Sequence, residues 1–214
     1  MPIQLISGGA DQLLITLLGD LYGWGKSFVQ KINKPGMYEV LNYETTLEIL
    51  DAKGRNAILT KTEEVKFLQN NIIAFQDQAW GSGKILLDYQ CKPGKPVDFY
   101  PFAHKTYIVI SLRNVMQKGD ITKFDISWKI KNGFGKSNGF WSTDINHFTK
   151  TMKINVIFPQ KRPAIRITTV ETNLQKVKEL PKDALHELPD KRWQVSWEKQ
   201  NPRLHEHYIL KWEW

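Results

Sequence analysis

From Gly36 to the last residue, the hydrophobic pattern of this chain has a period of two. "YEVLNYETTLEIL" alternates through Leu41, Tyr43, Thr45, Leu47 and Ile49, and then breaks at "DAKGR". Alternation of this kind belongs to half-buried strands, because successive side chains point to opposite faces. The pattern returns in "NAILTKTEEVKFL", "IIAFQDQAW", "KILLDYQC", "TYIVISL", "KFDISWKI", "TMKINVIF", "AIRITTVE", "RWQVSWE" and "HYILKWEW". Turns rich in Gly, Asn and Pro separate these stretches. About ten short antiparallel strands at regular spacing predict a mostly β chain, a two-sheet β-sandwich over 37–214. Ile73, Phe75, Leu87, Trp128, Val156, Trp197 and Trp212 are among its expected core residues. The stretch "NLQKVKELPKDALHELPD" departs from the alternation and suggests one helical turn near Asp183–Glu187 or a plain loop.

The first 36 residues follow a different period. Leu14, Leu17, Leu18, Leu21, Phe28 and Ile32 fall at helical spacings, with Trp24 among them and Lys26, Lys31 and Lys34 toward the end. Cations are favoured at a helix C-terminus, and Pro35-Gly36 stops the pattern. An amphipathic helical arm is expected over 1–36, weakened in its middle by Gly19, Gly23 and Gly25. Within the arm, Gly25-Lys26-Ser27 matches the tail of a phosphate loop. A phosphate loop also needs a glycine at position 20, which is Asp20; Gly19 is one place too early.

Other chemistry is sparse. The single cysteine, Cys91, excludes an intramolecular disulfide and a thiolate-rich metal cage. It is read as a small hydrophobe at a strand end, in keeping with a reducing cytoplasm. The opening "MPIQLISGGADQ" lacks the basic stretch of a secretory signal, and no apolar run reaches the roughly 20 residues that span a bilayer. In "LHEHY", His205 and His207 would share one side of a strand, away from Tyr208, Leu210 and Trp212. Two ligands do not make a metal site. Asp77, Asp88 and Asp98 could pair as in a glycosidase, and are equally expected as turn and surface residues. No catalytic residue, cofactor, metal or small-molecule substrate is inferred.

The formal charge of +8 favours anionic partners. Between Ile145 and Val170 lie Lys150, Lys153, Lys161, Arg162 and Arg166 with no acid, and Phe134, Phe140, Trp141 and Phe148 interleave with the basic residues. A basic sheet face carrying rings could bind single-stranded nucleic acid or another anion. The alternative is a solvated face with its rings turned inward.

Two resemblances add to this reading. In layout, an amphipathic helix before a basic, cysteine-poor β domain is similar to actinoporin-like pore formers. "YETTLEILD", "FLQNNIIAFQDQAWG", "LLDYQCKPG" and "PRLHEHYILKWEW" resemble a prokaryotic family of stand-alone β domains, over most of Tyr38–Trp214. That family brings no activity with it; an accessory role in a defence system is the expectation it raises. The sequence therefore points to a non-enzymatic interaction module. Its arm, through Leu14, Leu17, Leu18, Leu21, Trp24 and Phe28, would dock on a partner protein or on a second copy. The alternatives are a peripheral, pore-forming-like protein on an acidic membrane surface and a nucleic-acid-binding accessory.

Overall fold

A computed structural model describes residues 36–214. The expected helical arm, with Leu14, Leu17, Leu18, Leu21, Trp24 and Phe28, lies outside the described residues. Fourteen strands follow one another. They are β1 (Tyr38–Ile49), β2 (Asn56–Phe67), β3 (Ile72–Ala79), β4 (Lys84–Lys92), β5 (Lys95–Phe102), β6 (Lys105–Met116) and β7 (Ile121–Lys131), then β8 (Asn138–Asp144), β9 (Thr149–Phe158), β10 (Arg166–Glu171), β11 (Lys176–Glu179), β12 (Leu185–Glu187), β13 (Trp193–Gln200) and β14 (His207–Glu213). Among the described residues the only helical element is a 3-10 turn at Lys182–Ala184, before β12.

The chain is mostly β, as its alternation requires, but it builds three sheets rather than two. The large sheet has the order β12-β13-β9-β1-β2-β7-β4. A four-stranded sheet has the order β11-β10-β14-β8, and a three-stranded sheet β3-β6-β5. The pairing is not all antiparallel, because β1 runs parallel to β9 at the centre of the large sheet. A parallel pair needs a long crossover. Here the crossover is everything between Ile49 and Thr149, which local pattern cannot reveal.

One face of the large sheet is apolar. Leu47, Ile49, Leu59, Val65, Phe67, Phe124, Ile126, Trp128, Ile154 and Val156 are all buried there. The smaller sheets lie against this face. Phe75 of β3 stacks on Phe124 of β7 with ring centroids 4.0 Å apart. Trp212 of β14 meets Phe158 of β9 edge-on at 5.5 Å, and Tyr208 meets Trp197 of β13 at 5.6 Å. The opposite face of the large sheet carries polar ladders. Asn155 donates to Glu44 at 2.8 Å and accepts from Ser196 at 2.7 Å.

Two local departures follow from bulges. In β1 the register shifts between Val40 and Asn42, so Tyr38 and Val40 point inward with Tyr43 and Thr45, and Leu41 turns out. In β3 the register shifts between Ile72 and Ala74, and Ile73, expected in the core, is 64% exposed. A bulge adds one residue and flips the faces beyond it.

The turn "DAKGR" is closed by Asp51, whose carboxylate accepts from the Lys53, Arg55 and Asn56 amides. Gly54 within it has φ +63°, and a Cβ there would sit 2.0 Å from the Phe134 carbonyl oxygen. Gly54→Ala should cost about 3 kcal/mol, the upper end for a strained residue, because a backbone clash adds to the φ penalty. Gly119 has φ +99° but open space around it. Denaturant midpoints should therefore fall further for Gly54→Ala than for Gly119→Ala; equal shifts would contradict the clash.

Candidate functional site

On an alternating strand, positions 61, 63 and 77 fall on the buried face. They are Lys61, Glu63 and Asp77, at 4%, 8% and 2% exposure. Burying charge in this way is costly unless the groups pair, and here they do. The Lys61 ammonium donates to Asp77 and lies 3.0 Å from Glu63. The Tyr89 hydroxyl donates to the other Asp77 oxygen at 2.8 Å, and the Gln78 backbone N–H donates to the first at 2.6 Å.

Titration follows from this packing. Burial acts to lower the Lys61 ammonium, but Asp77 and Glu63 outweigh it and hold it well above its usual value. Burial raises the Glu63 carboxyl against the pull of Lys61. Tyr38, Tyr43 and Tyr89 are all raised, chiefly by burial. Burial likewise pushes the Cys91 thiol up to about 12, which suppresses the thiolate a nucleophile needs.

The buried trio forms the floor of a cleft of about 290 Å³. Its walls are the two strands that end the smaller sheets on this side, β3 and β8, with the loop after β8. Two contacts cross from wall to wall. Trp80 donates its indole N–H to Ser142 at 3.1 Å. Lys105, its ammonium 4.6 Å from the Trp80 ring centre, pairs with Asp144, which also binds His207 Nδ1. Burial raises the Asp144 carboxyl, but His207 and Lys105 together bring it below the usual range.

His147 closes one end, its ring 4.2 Å from that of Tyr38, and burial lowers its affinity for a proton. The native state thus binds fewer protons here than the unfolded chain. The stability this site contributes is fully present above the ordinary histidine value of 6.5 and is lost as pH falls from there through the lowered native value. Melting temperatures measured across that interval should drop, and His147→Gln should flatten the drop. An unchanged slope in the variant would assign the effect elsewhere.

Beside the cleft, the three-stranded sheet ends in an aromatic hairpin. β5 is exposed along almost its whole length, with Val97, Phe99, Tyr100 and Phe102 at 59%, 45%, 38% and 69% exposure. Pro96 and Pro101 sit in the same strand. Proline cannot donate to a further strand, so this edge resists strand addition while leaving its side chains open. Tyr100 stacks on Tyr107 of β6 at 5.5 Å, and Phe102 packs beside it. Lys92, Lys95 and Arg113 are exposed around the hairpin.

The basic residues picked out from the sequence do not form one patch. Lys150 and Lys153 lie on β9, Lys161 and Arg162 in the following turn, and Arg166 on β10 of another sheet. Arg166 pairs with Glu213, and Lys153 lies 3.6 Å from Glu44. Arg162 donates to the carbonyls of Ala52, Phe134 and Lys136 and lies 4.0 Å over the Trp214 ring, so it fastens loops together. Phe134 is buried, while Phe140 and Phe148 are exposed. His205 adopts φ +62° before β14 begins and does not share a strand face with His207. Asp88 pairs with Lys129 on the surface, and Asp98 is exposed on β5. Among the described residues no group of three or more His, Cys, Asp or Glu side chains is placed to hold a metal, and no helix is long and apolar enough to cross a membrane.

No family model and no curated protein matches the chain, in keeping with a family to which no activity is attached. Among solved structures, it is similar to an M1 zinc metallopeptidase from Deinococcus radiodurans, with 9% identity and a TM-score of 0.47. The match covers 81% of this chain and 42% of that one. The expectation that the chain is not an enzyme is not upheld by this comparison, and a likeness at 9% identity over 42% of that structure decides neither activity nor its absence. The sequence argument had rested on missing motifs, which cannot register a polar cleft assembled from Lys61, Asp77 and Asp144.

Proposed function

We propose that the chain is an interaction module that docks on a partner protein through the β5–β6 hairpin. One observation carries this reading: Val97, Phe99, Tyr100 and Phe102 stand exposed within a single proline-guarded edge strand, with Tyr100 and Phe102 beside Tyr107 on one face and Phe99 beside Tyr89 on the other. Apolar patches of this kind on a soluble surface favour a partner, and aromatic anchors dominate interface energetics. Lys92, Lys95 and Arg113 at the base of the hairpin, with a chain charge of +8, favour an acidic surface beside the apolar contact. They disfavour a second copy, which would oppose like charges.

The N-terminal segment, with Leu14, Leu17, Leu18, Leu21, Trp24 and Phe28, offers a second contact as an amphipathic element in a partner groove. In that role, removing residues 1–36 weakens the complex and leaves a cooperatively folding β domain. A prokaryotic accessory protein working in the cytoplasm fits both contacts and the buried, unreactive Cys91.

The test is photo-cross-linking in cells, with benzoyl-phenylalanine at position 102 or, as a control, at Thr60 on the polar face of the large sheet. The expected result is one identified acidic protein joined at position 102 and not at position 60. Adducts to a second copy, or the same adducts from both positions, would overturn the reading.

A further inference from the structure

We propose that the cleft between β3 and β8 binds a neutral, polyhydroxylated ligand of about one sugar ring. The site shares Tyr100 with the proposed docking hairpin, and it is tested through Gln78 and Asn146, which lie outside that hairpin. Charge comes first. The ionic groups of the cleft are already matched with one another: Lys61 with Asp77 and Glu63, and Lys105 and His207 with Asp144. An anionic or cationic ligand would have to break one of these pairs, leaving a poorly solvated charge unpaired. A neutral polar ligand breaks none.

Hydrogen-bonding geometry comes second. Gln76 and Gln78 are two residues apart on β3, so both project from the same face, roughly 7 Å apart. The Gln76 amide donates to the Tyr100 hydroxyl at 2.6 Å, which leaves its carbonyl oxygen to accept. The Gln78 carbonyl accepts from Lys105 at 3.2 Å, which leaves its NH2 to donate. The pair therefore presents one fixed acceptor and one fixed donor. Ring hydroxyls, which both give and receive hydrogen bonds, can satisfy the two at once. Asn146, exposed on the opposite wall, adds a third amide.

The third element is a ring surface. Gln78, Tyr107 and Tyr100 lie in one row across β3, β6 and β5, and the two phenol rings are stacked within 16° of parallel. A flat aromatic face of this kind suits the C–H side of a sugar. The volume of about 290 Å³ falls at the lower end for ligand pockets and favours a small ligand.

The experiment titrates the full-length protein, followed by NMR, with methyl glucoside, methyl galactoside and inositol. Inorganic phosphate, acetate and methylammonium serve as charged counterparts. At least one neutral polyol should saturate a single site with a dissociation constant of about 1 mM or tighter, unaltered by salt. Gln78→Ala should weaken it at least about tenfold. Asn146→Ala, on the exposed wall, provides the same test without risk to folding, and Val177→Ala, at an exposed position on β11 of another sheet, should leave affinity unchanged. Three results would overturn the proposal: no polyol bound at about ten times that concentration, a charged probe bound in preference, or affinity indifferent to both amide variants. Loss of the partner in Phe102→Ala protein would not bear on it.

Discussion

Asp77→Ala should destabilise the fold by about 3 kcal/mol, the low end for removing one member of a buried ion pair. Lys61 would keep Glu63 at 3.0 Å but lose its shortest partner, and the Tyr89 hydroxyl and Gln78 backbone N–H would lose their acceptor. The cost belongs to the charge left behind more than to the bond removed. The double variant Lys61→Met with Asp77→Leu should therefore lose less than Asp77→Ala alone. Glu63 is already driven toward its neutral form by burial, and without Lys61 it would hold its proton. Urea unfolding of the two proteins separates these cases. A double variant at least as damaged as the single would mean that the trio is held by packing rather than by charge.

Trp212→Ala should cost about 3–5 kcal/mol, the range for an aromatic removed from a packed core. Trp212 is 1% exposed, and its ring is bracketed by Phe134, Phe158 and Trp214 at 5.5–5.9 Å. Gly139 lies beneath it so closely that a Cβ there would approach the indole to 2.5 Å. The indole N–H is buried without an acceptor. Trp212→Phe should thus recover most of the loss, because it keeps ring packing and removes an unpaired donor. Phe140→Ala, at a ring 53% exposed, should change little. A Phe at position 212 no better than Ala would mean that the indole N–H itself contributes to stability.

The β character of the chain was legible because alternation is a local property. Leu47, Ile49, Phe75, Trp128, Val156 and Trp212 point inward as their period demands. The number of sheets was not legible, because strands β3, β5 and β6 alternate in the same way as those of the large sheet. Which strand leaves a sheet is decided by long-range pairing. The parallel β1–β9 pair is invisible for the same reason. Ile73 and Leu41 were misplaced by bulges, which shift register without a mark in hydrophobicity.

The cleft was the least legible feature. Lys61 and Asp77 sit in alternation at buried positions, "TKTEEV" and "FQDQA". A lysine and an aspartate, opposite in charge and both at inward-facing positions of neighbouring segments, were the available signal. Read singly, each looked like a surface residue. The basic residues show the converse error: Lys150, Lys153, Lys161, Arg162 and Arg166 cluster in sequence, yet the turn at Lys161 and the change of sheet separate them.

Docking through the β5–β6 hairpin is tested most directly by an affinity. The protein cross-linked at position 102 would be purified and titrated with the full-length chain, with Phe102→Ala, and with rising salt. The account predicts a loss of about thirtyfold or more in Phe102→Ala, the size expected of an aromatic anchor of about 2 kcal/mol. It also predicts weaker binding as salt screens Lys92, Lys95 and Arg113 from an acidic partner. An affinity indifferent to both Phe102 and salt would contradict it.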